Sequence, residues 1–126
     1  MRLVVYDGLR RAPTPVFNEK ILCGLGRGVA TTHQLNPQGV ERALAALRRF
    51  KAMSRQIGAR EVYAVATAAA REAENGAQFV DMAEEALGAH IDVISGKEEA
   101  RLTALFGQFA TTSELVHNVT RRSRSR

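Results

Sequence analysis

The chain has 126 residues, of which 45% are hydrophobic and 25% are charged, a composition typical of one soluble globular domain. Lys and Arg outnumber Asp and Glu by 18 to 13, which gives a formal net charge of +5. No apolar run approaches the roughly 20 residues of a membrane-spanning helix, and charges come too early for a secretory signal. The single cysteine excludes an intramolecular disulfide, so we expect a cytoplasmic protein.

The first part of the chain predicts an antiparallel meander. Arg2–Tyr6 alternates and is rich in β-branched residues, which favours a strand, and Asp7-Gly8 is a hairpin turn signal. Val16–Leu25 is the predicted returning strand. Glycines then interrupt the pattern, and Val29–Thr32 is a candidate for a short third strand.

A long helix is predicted from Asn36-Pro37 to Gly58. An N-cap side chain followed by proline at the first helical position is a start signal, and a glycine after the last periodic residue is a stop signal. Between these signals, apolar residues recur at helical spacing. They are Val40, Ala43, Leu44, Leu47, Phe50 and Ile57.

The pattern after Gly58 predicts strands that alternate with helices. Glu61–Thr67 and Ile91–Ile94 are strand-like, and the helix between them ends at Gly88. Ser95 and Glu98 form a capping box that opens a third helix. The whole order predicts an α/β fold, in which a mixed sheet has an antiparallel meander first and βαβ crossovers after it.

The composition changes from Thr111 onward. Residues 111–126 have no sustained period and carry four arginines against Glu114, so this segment holds most of the net charge. We therefore expect a folded part over residues 1–110 and a basic, disordered tail over residues 111–126.

Two strand ends deliver side chains suited to phosphate chemistry. Arg71 follows the strand Glu61–Thr67 and a run of small alanines, and a guanidinium can make forked contacts with phosphate oxygens. Glu99 lies in the first turn of the third helix, beside its apolar side. The alternatives are a surface pairing of Arg71 with a neighbouring glutamate, and a stabilising interaction of Glu99 with the helix dipole.

The remaining polar residues give weaker signals. His33, His90 and His117 have no metal-ligand spacing, so no zinc site or other metal ligand is predicted. Cys23 has apolar neighbours and is predicted to be a core residue. The glycine-rich residues 24–28 lack the lysine and hydroxyl of a Walker motif.

The segments RLVVYDG, LGRGV, LNPQGVERALAALRRF, AVATAAAREAENG and ISGKEEARL resemble the exopolyphosphatase/guanosine pentaphosphate phosphatase (Ppx/GppA) family, over about Arg2 to Leu105. The resemblance implies a ribonuclease-H-like lobe of the actin-like ATPase superfamily. It implies release of the terminal phosphate from polyphosphate or guanosine pentaphosphate, with Mg²⁺. In that reaction Glu99 would be the catalytic residue that activates water, and Arg71 a phosphate-binding residue.

The sequence departs from this family at three places. Family members carry an Asp-Gly-Ser-Asn-Ser loop before the segment that matches RLVV, and a second loop of aspartate, glycines and serine after the EEARL segment. Neither loop occurs in the 126 residues, and His33 stands where a glycine is usual. We therefore expect an incomplete N-terminal lobe that lacks its magnesium ligands and is inactive alone. The resemblance is compatible with a homodimer, and uncovered apolar faces favour self-association.

Two alternative functions share parts of this pattern. A non-catalytic remnant or interaction module would bind polyanions through the arginine-rich tail. A sugar-kinase or actin-like ATPase lobe would share the fold, but no residue indicates adenosine recognition. Neither a membrane nor a nucleic acid is an expected partner.

Overall fold

The computed structural model describes residues 1–7, 15–106 and 116–121. These residues form a mixed sheet with helices packed on it. The strands are β1 (Arg2–Asp7), β2 (Pro15–Lys20), β3 (Ala59–Ala66), β4 (Ile91–Val93) and β5 (Val116–Arg121). The helices are α1 (Val29–Thr32), α2 (Pro37–Ile57), α3 (Ala68–Glu72), α4 (Gly76–Leu87) and α5 (Gly96–Phe106).

The strand order in the sheet is β2-β1-β5-β3-β4. β1 and β2 are antiparallel, with Val5 opposite Phe17, so the predicted pairing of these strands is confirmed. β2 ends at Lys20 and not at Leu25 as predicted, and residues 8–14, where the turn is predicted, lie outside the described residues. β3 and β4 are parallel, with Ala64 opposite Ile91, and α3 and α4 connect them. This connection is a predicted βαβ crossover, and it brings the carboxyl ends of β3 and β4 to the same end of the sheet.

Strand β5 corrects the prediction for the end of the chain. We expected disorder over residues 111–126, but Val116–Arg121 lies between β1 and β3, parallel to β1 and antiparallel to β3. The backbone groups of this segment form hydrogen bonds with both neighbouring strands. The pattern of its own residues does not indicate that such partners exist. The expected boundary after residue 110 and residues 122–126 of the tail lie outside the described residues.

The candidate third strand Val29–Thr32 is wrong, because these residues form the short helix α1. Its β-branched residues favour a strand by propensity. The Thr32 hydroxyl instead donates to the Gly28 carbonyl at 2.9 Å and accepts from the Gln34 N–H at 3.2 Å. Local side-chain bonds of this kind compete with strand pairing, and here they fix a turn.

Helix α2 has the predicted start and end. The Asn36 side chain accepts from the backbone N–H groups of Gln38 and Gly39, and Pro37 follows the cap. Gly58 ends the helix with a φ of 78°, a left-handed conformation that suits glycine. α2 and α4 cover one face of the sheet, and burial of one large side chain there stabilises the fold by about 2–3 kcal/mol. The largest buried side chains include Phe50, Phe79, Leu3, Leu47 and Ile91.

Three further observations concern burial, exposure and the apolarity of the helices. Cys23 is buried in the core, as predicted. Tyr63 and Val93 are 53% and 46% exposed, so part of the apolar side-chain surface of β3 and β4 is open to solvent. None of the helices in the described part of the chain has both the length and the apolarity to cross a membrane.

Candidate active site

Arg71 stands in the last turn of α3, directly beyond the end of β3. The buried residues Ala69 and Ala70 fix α3 against the core, and the Arg71 N–H donates to the Thr67 carbonyl at 3.1 Å. The Arg71 side chain remains 30% exposed. The buried alanines thus hold α3 in place, and the Arg71 guanidinium lies beyond the carboxyl end of β3.

Close packing of α3 against α4 sets the position of Arg71. A Cβ atom added to Gly76, the first residue of α4, would lie 1.8 Å from the Ala70 carbonyl oxygen. Only glycine allows this approach, because the obstacle is backbone that cannot move aside. The approach of Gly76 to Ala70 is thus the place where α4 supports α3.

A second contact holds the α3–α4 connection against the loop before α2. The Glu74 N–H donates to the His33 carbonyl at 2.8 Å, and the Leu35 N–H donates to the Asn75 side chain at 2.9 Å. The Gln34 side chain donates to the Glu74 carboxylate at 2.7 Å. Glu74 is therefore engaged away from Arg71.

The carbonyl of Ile94, just after β4, accepts a hydrogen bond from Arg71 Nη1 at 2.7 Å. The Ile94 N–H in turn donates to the Ala66 carbonyl at the end of β3, at 3.0 Å. Two adjacent strand ends thus orient one guanidinium. The sequence analysis missed this anchor, since a backbone carbonyl leaves no signal in the identity of residue 94.

Glu99 comes to the same place from the first turn of α5. Its N–H donates to the Ser95 carbonyl at 2.9 Å, and its Oε2 lies 4.0 Å from Arg71 Nη1. The Glu99 side chain is 17% exposed. The structure thus brings together the two residues that the sequence analysis selected for phosphate chemistry.

Glu98 has a different role from the one expected of a capping-box partner. Ser95 Oγ accepts from the Glu98 N–H at 3.1 Å, so the forward half of the capping box is present. The Glu98 carboxylate, however, accepts from Arg101 Nη2 at 2.7 Å. Arg101 lies three residues further along the same helix face. Glu98 forms an ion pair with it in place of the capping-box hydrogen bond to the Ser95 N–H.

Glu72 is the nearest competitor for the Arg71 guanidinium. Its Oε1 lies 3.6 Å from Arg71 Nη2, and its side chain is 64% exposed. The surface pairing considered for Arg71 therefore exists with Glu72. Exposed ion pairs of this kind contribute at most about 1 kcal/mol, so a bound anion can replace it.

The other polar candidates lie apart from this site. His90 is held by Glu84 and Asp92, and the Glu84 carboxylate also accepts from the Ile91 N–H at 2.9 Å. The hydrogen bonds to Glu84 and Asp92 raise the pKa of His90, and the Ile91 N–H together with His90 lowers the pKa of Glu84. Sequence analysis missed this cluster, because its members meet only after the chain turns at Gly88.

The described residues do not supply the metal site that the family resemblance implies. Among them, no group of three or more His, Cys, Asp or Glu side chains is placed to hold a metal ion. The site built by these residues is instead a cation beside a carboxylate. A guanidinium can bind an anion by forked hydrogen bonds, and a carboxylate next to it can orient or deprotonate water.

Comparison with solved structures identifies the fold. A Ppx/GppA family member from Aquifex aeolicus matches with a TM-score of 0.70 and 23% identity, over 82% of this chain and 38% of that one. An exopolyphosphatase from Cytophaga hutchinsonii matches with a TM-score of 0.68 and 26% identity, over 81% and 36%. An exopolyphosphatase-like protein matches with a TM-score of 0.66 and 28% identity, over 80% and 34%.

These matches confirm the expected mixed α/β lobe of the actin-like ATPase superfamily. The chain spans little more than a third of the length of the solved chains that it matches. The family model of the Ppx/GppA phosphatases covers residues 4–119, which is nearly all of the sequence and includes the segment of β5 up to residue 119. The chain belongs to the Ppx/GppA phosphatase family.

Proposed function

We propose that this chain is an exopolyphosphatase-type hydrolase of phosphoanhydride bonds, which acts on the terminal phosphate of polyphosphate or guanosine pentaphosphate. The observation that carries the proposal is the pair of Glu99 and Arg71, 4.0 Å apart at the carboxyl ends of two parallel strands. Family membership and the names of the matched exopolyphosphatases support the same reaction class.

In the proposed reaction, Arg71 binds non-bridging oxygens of the terminal phosphate. Its guanidinium has five N–H donors, and within the described residues it makes one hydrogen bond, to the Ile94 carbonyl. Donors therefore remain for a ligand. That bond also fixes the direction of the guanidinium, so less side-chain freedom is lost on binding.

The Glu99 carboxylate orients a water molecule and accepts its proton. The water oxygen bonds to the terminal phosphorus, and the bond from this phosphorus to the bridging oxygen breaks. The bridging oxygen leaves with the shortened chain, so the products are orthophosphate and a chain with one phosphate fewer. Arg71 stabilises the charge that spreads over the phosphoryl oxygens.

We propose that the 126-residue chain by itself is slow. The site in the described residues has one guanidinium and one carboxylate, and loss of a single charge-stabilising donor costs an enzyme about 10²–10³ in rate. Magnesium dependence and homodimerisation, which the family resemblance implies, stay predictions. Phosphate release with and without Mg²⁺, and the elution volume in gel filtration, measure them.

The test is phosphate release from long-chain polyphosphate with enzyme in excess. Glu99→Gln keeps the shape of the side chain but removes its ability to accept a proton, so we expect release to fall about 10²-fold. Glu98→Gln is the matched control, because it changes an adjacent carboxylate that pairs with Arg101. Equal release by the wild type and Glu99→Gln would contradict the role of Glu99. The absence of any release by the wild type would contradict the hydrolase proposal, and turnover on the order of 1–100 s⁻¹ would contradict its slowness.

A further inference from the structure

The net charge of +5 conceals a strong separation of charge along the chain. Residues 1–60 contain eleven Lys and Arg against three Asp and Glu. Residues 61–106 contain three Lys and Arg against nine Asp and Glu. A separation of this kind indicates that polyanions are attracted more strongly to surfaces formed by residues 1–60 than to surfaces formed by residues 61–106.

Helix α2 carries most of the positive charge of the first part. It holds Arg42, Arg48, Arg49, Lys51 and Arg55, against Glu41 alone. Arg49 pairs with Glu19 on β2 at 2.5 Å. Within the described residues, the side chains of Arg48, Lys51 and Arg55 have no hydrogen-bond or ion-pair partner. On a solvated helix face, positively charged side chains usually have acidic side chains as ion-pair partners. The side chains of Arg48, Lys51 and Arg55 have no such partner among the described residues.

The three cations share one flank of α2, which we call the α2 cationic face. Arg48 and Arg55 are exposed and are two helical turns apart, or about 10 Å along the axis. Lys51 lies between them, and its side chain passes over Gly88, where a Cβ atom would meet Lys51 Nζ at 3.2 Å. A row of cations along a helix can contact several charges of one linear polyanion.

The fold brings more positive charge to the C-terminal end of this face. β3 begins at Ala59, directly after the Gly58 cap, and carries the exposed Arg60. Arg121, the last residue of β5, is opposite Ala59 in the register of the sheet. In the sequence, Arg122, Arg124 and Arg126 follow.

The surroundings of Arg71 have the opposite character. Glu72 and Glu99 lie 3.6 and 4.0 Å from its guanidinium, and Glu98 is next to Glu99 in the sequence. A single cation among these carboxylates can bind one terminal phosphate, but it cannot neutralise a long chain of phosphates. The affinity for the rest of such a chain needs another surface.

We propose that the α2 cationic face binds linear polyphosphate away from the site of hydrolysis. The choice of polyphosphate among linear polyanions rests on the proposed function, whereas the location of the surface does not. Binding there raises the concentration of phosphate chains around the molecule and falls steeply with salt, because each phosphate contact releases a condensed counter-ion.

The experiment measures equilibrium binding of long-chain polyphosphate to the whole chain, with EDTA present so that no hydrolysis intervenes. The variant Arg48→Gln/Arg55→Gln should bind about tenfold more weakly at low salt, and its log–log slope against salt should fall by about 2. Arg27→Gln/Arg101→Gln removes the same charge from two exposed positions outside the face, and we expect its slope to stay near that of the wild type. Thermal unfolding checks that all variants are folded.

Three further arms make the result specific. Glu99→Gln should bind polyphosphate like the wild type, which separates this surface from the hydrolytic site. A chain shortened to residue 121 should keep most of the affinity; loss of binding in this chain, with full binding in Arg48→Gln/Arg55→Gln, would place binding in the tail and overturn the proposal. Equal affinity for a single-stranded RNA of the same number of phosphates would overturn the choice of polyphosphate. Failure of the proposed hydrolysis leaves the binding result intact.

Discussion

Two clusters in this molecule have the same composition, a cation between two carboxylates, and opposite geometry. In the closed cluster, the ring nitrogens of His90 lie 2.7 Å from Glu84 and 2.8 Å from Asp92. In the open cluster, the Arg71 guanidinium lies 3.6 Å from Glu72 and 4.0 Å from Glu99. The hydrogen bonds of the closed cluster join α4 to β4. Both ring nitrogens of His90 are used in these bonds, so neither is available to bind a ligand.

The two clusters also differ in the exposure of their side chains. In the open cluster, Arg71, Glu99 and Glu72 are 30%, 17% and 64% exposed. In the closed cluster, His90, Glu84 and Asp92 are 75%, 29% and 70% exposed. Arg71 Nη1 and Glu99 Oε2 are too far apart for a direct hydrogen bond, so one polar ligand can contact both of them.

The largest expected effect comes from the contact between α3, which carries Arg71 of the open cluster, and α4. Gly76→Ala would place a methyl group against the Ala70 carbonyl, so α3 must move, and we expect a loss of about 2–4 kcal/mol in the free energy of unfolding. Gly96→Ala is the control, because a Cβ atom there would lie 3.9 Å from its nearest neighbour, Arg71 Nη2, which is ordinary van der Waals contact. Denaturant unfolding measures both. A change in Gly76→Ala as small as that of the control would mean that α3 is not held by this contact.

A smaller effect separates charge from shape in the open cluster. Arg71→Lys keeps the positive charge but loses the fork of donors, so we expect phosphate release to fall about tenfold while the fold keeps its stability. Arg101→Lys, in the exposed pair with Glu98, should leave release unchanged. Release that is equally fast with lysine at position 71 would show that a point charge suffices there and that the forked contact is unnecessary.

A substitution in the loop that supports the α3–α4 connection should stabilise the fold. His33 has a φ of 59°, a left-handed conformation that costs a residue with a side chain about 1–2 kcal/mol. His33→Gly should relieve this strain and, after the added flexibility of the unfolded chain, stabilise the protein by about 0.5 kcal/mol. The converse change, Gly58→Ala at a φ of 78°, should destabilise it. A melting temperature that falls in His33→Gly would contradict the account of this turn.

The smallest effect is the pH dependence of the closed cluster. The pKa of His90 is raised, so its contribution to stability is present at low pH and is lost as the pH rises through the raised value. The pKa of Glu84 is lowered, so its contribution is lost as the pH falls through that lower value. The cluster therefore stabilises the fold between these two limits.

Melting temperatures from about pH 5 to about pH 9 measure this contribution in the wild type and in His90→Gln. We expect the decline, as the pH rises through the raised pKa of His90, to be shallower in the variant. High salt should reduce the difference, since the side chains of His90 and Asp92 are exposed. Parallel curves for both proteins would show that His90 does not carry the pH dependence.

The sequence predicts those parts of the structure that depend on neighbours along the chain. Asn36, Pro37 and Gly58 determine the ends of α2 by local hydrogen bonds and backbone preference, and the structure has them as predicted. The meeting of Arg71 and Glu99 was also predictable, because parallel strands joined by a crossover deliver their following residues to the same end of a sheet.

Structural features that depend on contacts between residues distant in the chain could not be predicted from the sequence. β5 is a strand because β1 and β3 flank it, and its own residues show no period. The Ile94 carbonyl binds Arg71 across two elements, and the His90 cluster closes only once α4 has ended at Gly88. In each case the contact involves a backbone group or a side chain whose partner is set by the fold.

The most direct test of the open cluster is a titration of the whole chain with pyrophosphate, followed through the side-chain N–H signals of its arginines by NMR. The account predicts a saturable shift of the Arg71 signal and no comparable shift of Arg101, which is already paired with Glu98. Glu99→Gln should keep the Arg71 shift, since Glu99 acts on water in this account. An Arg71 signal that stays in place while pyrophosphate shifts other arginines would contradict the assignment of the phosphate site.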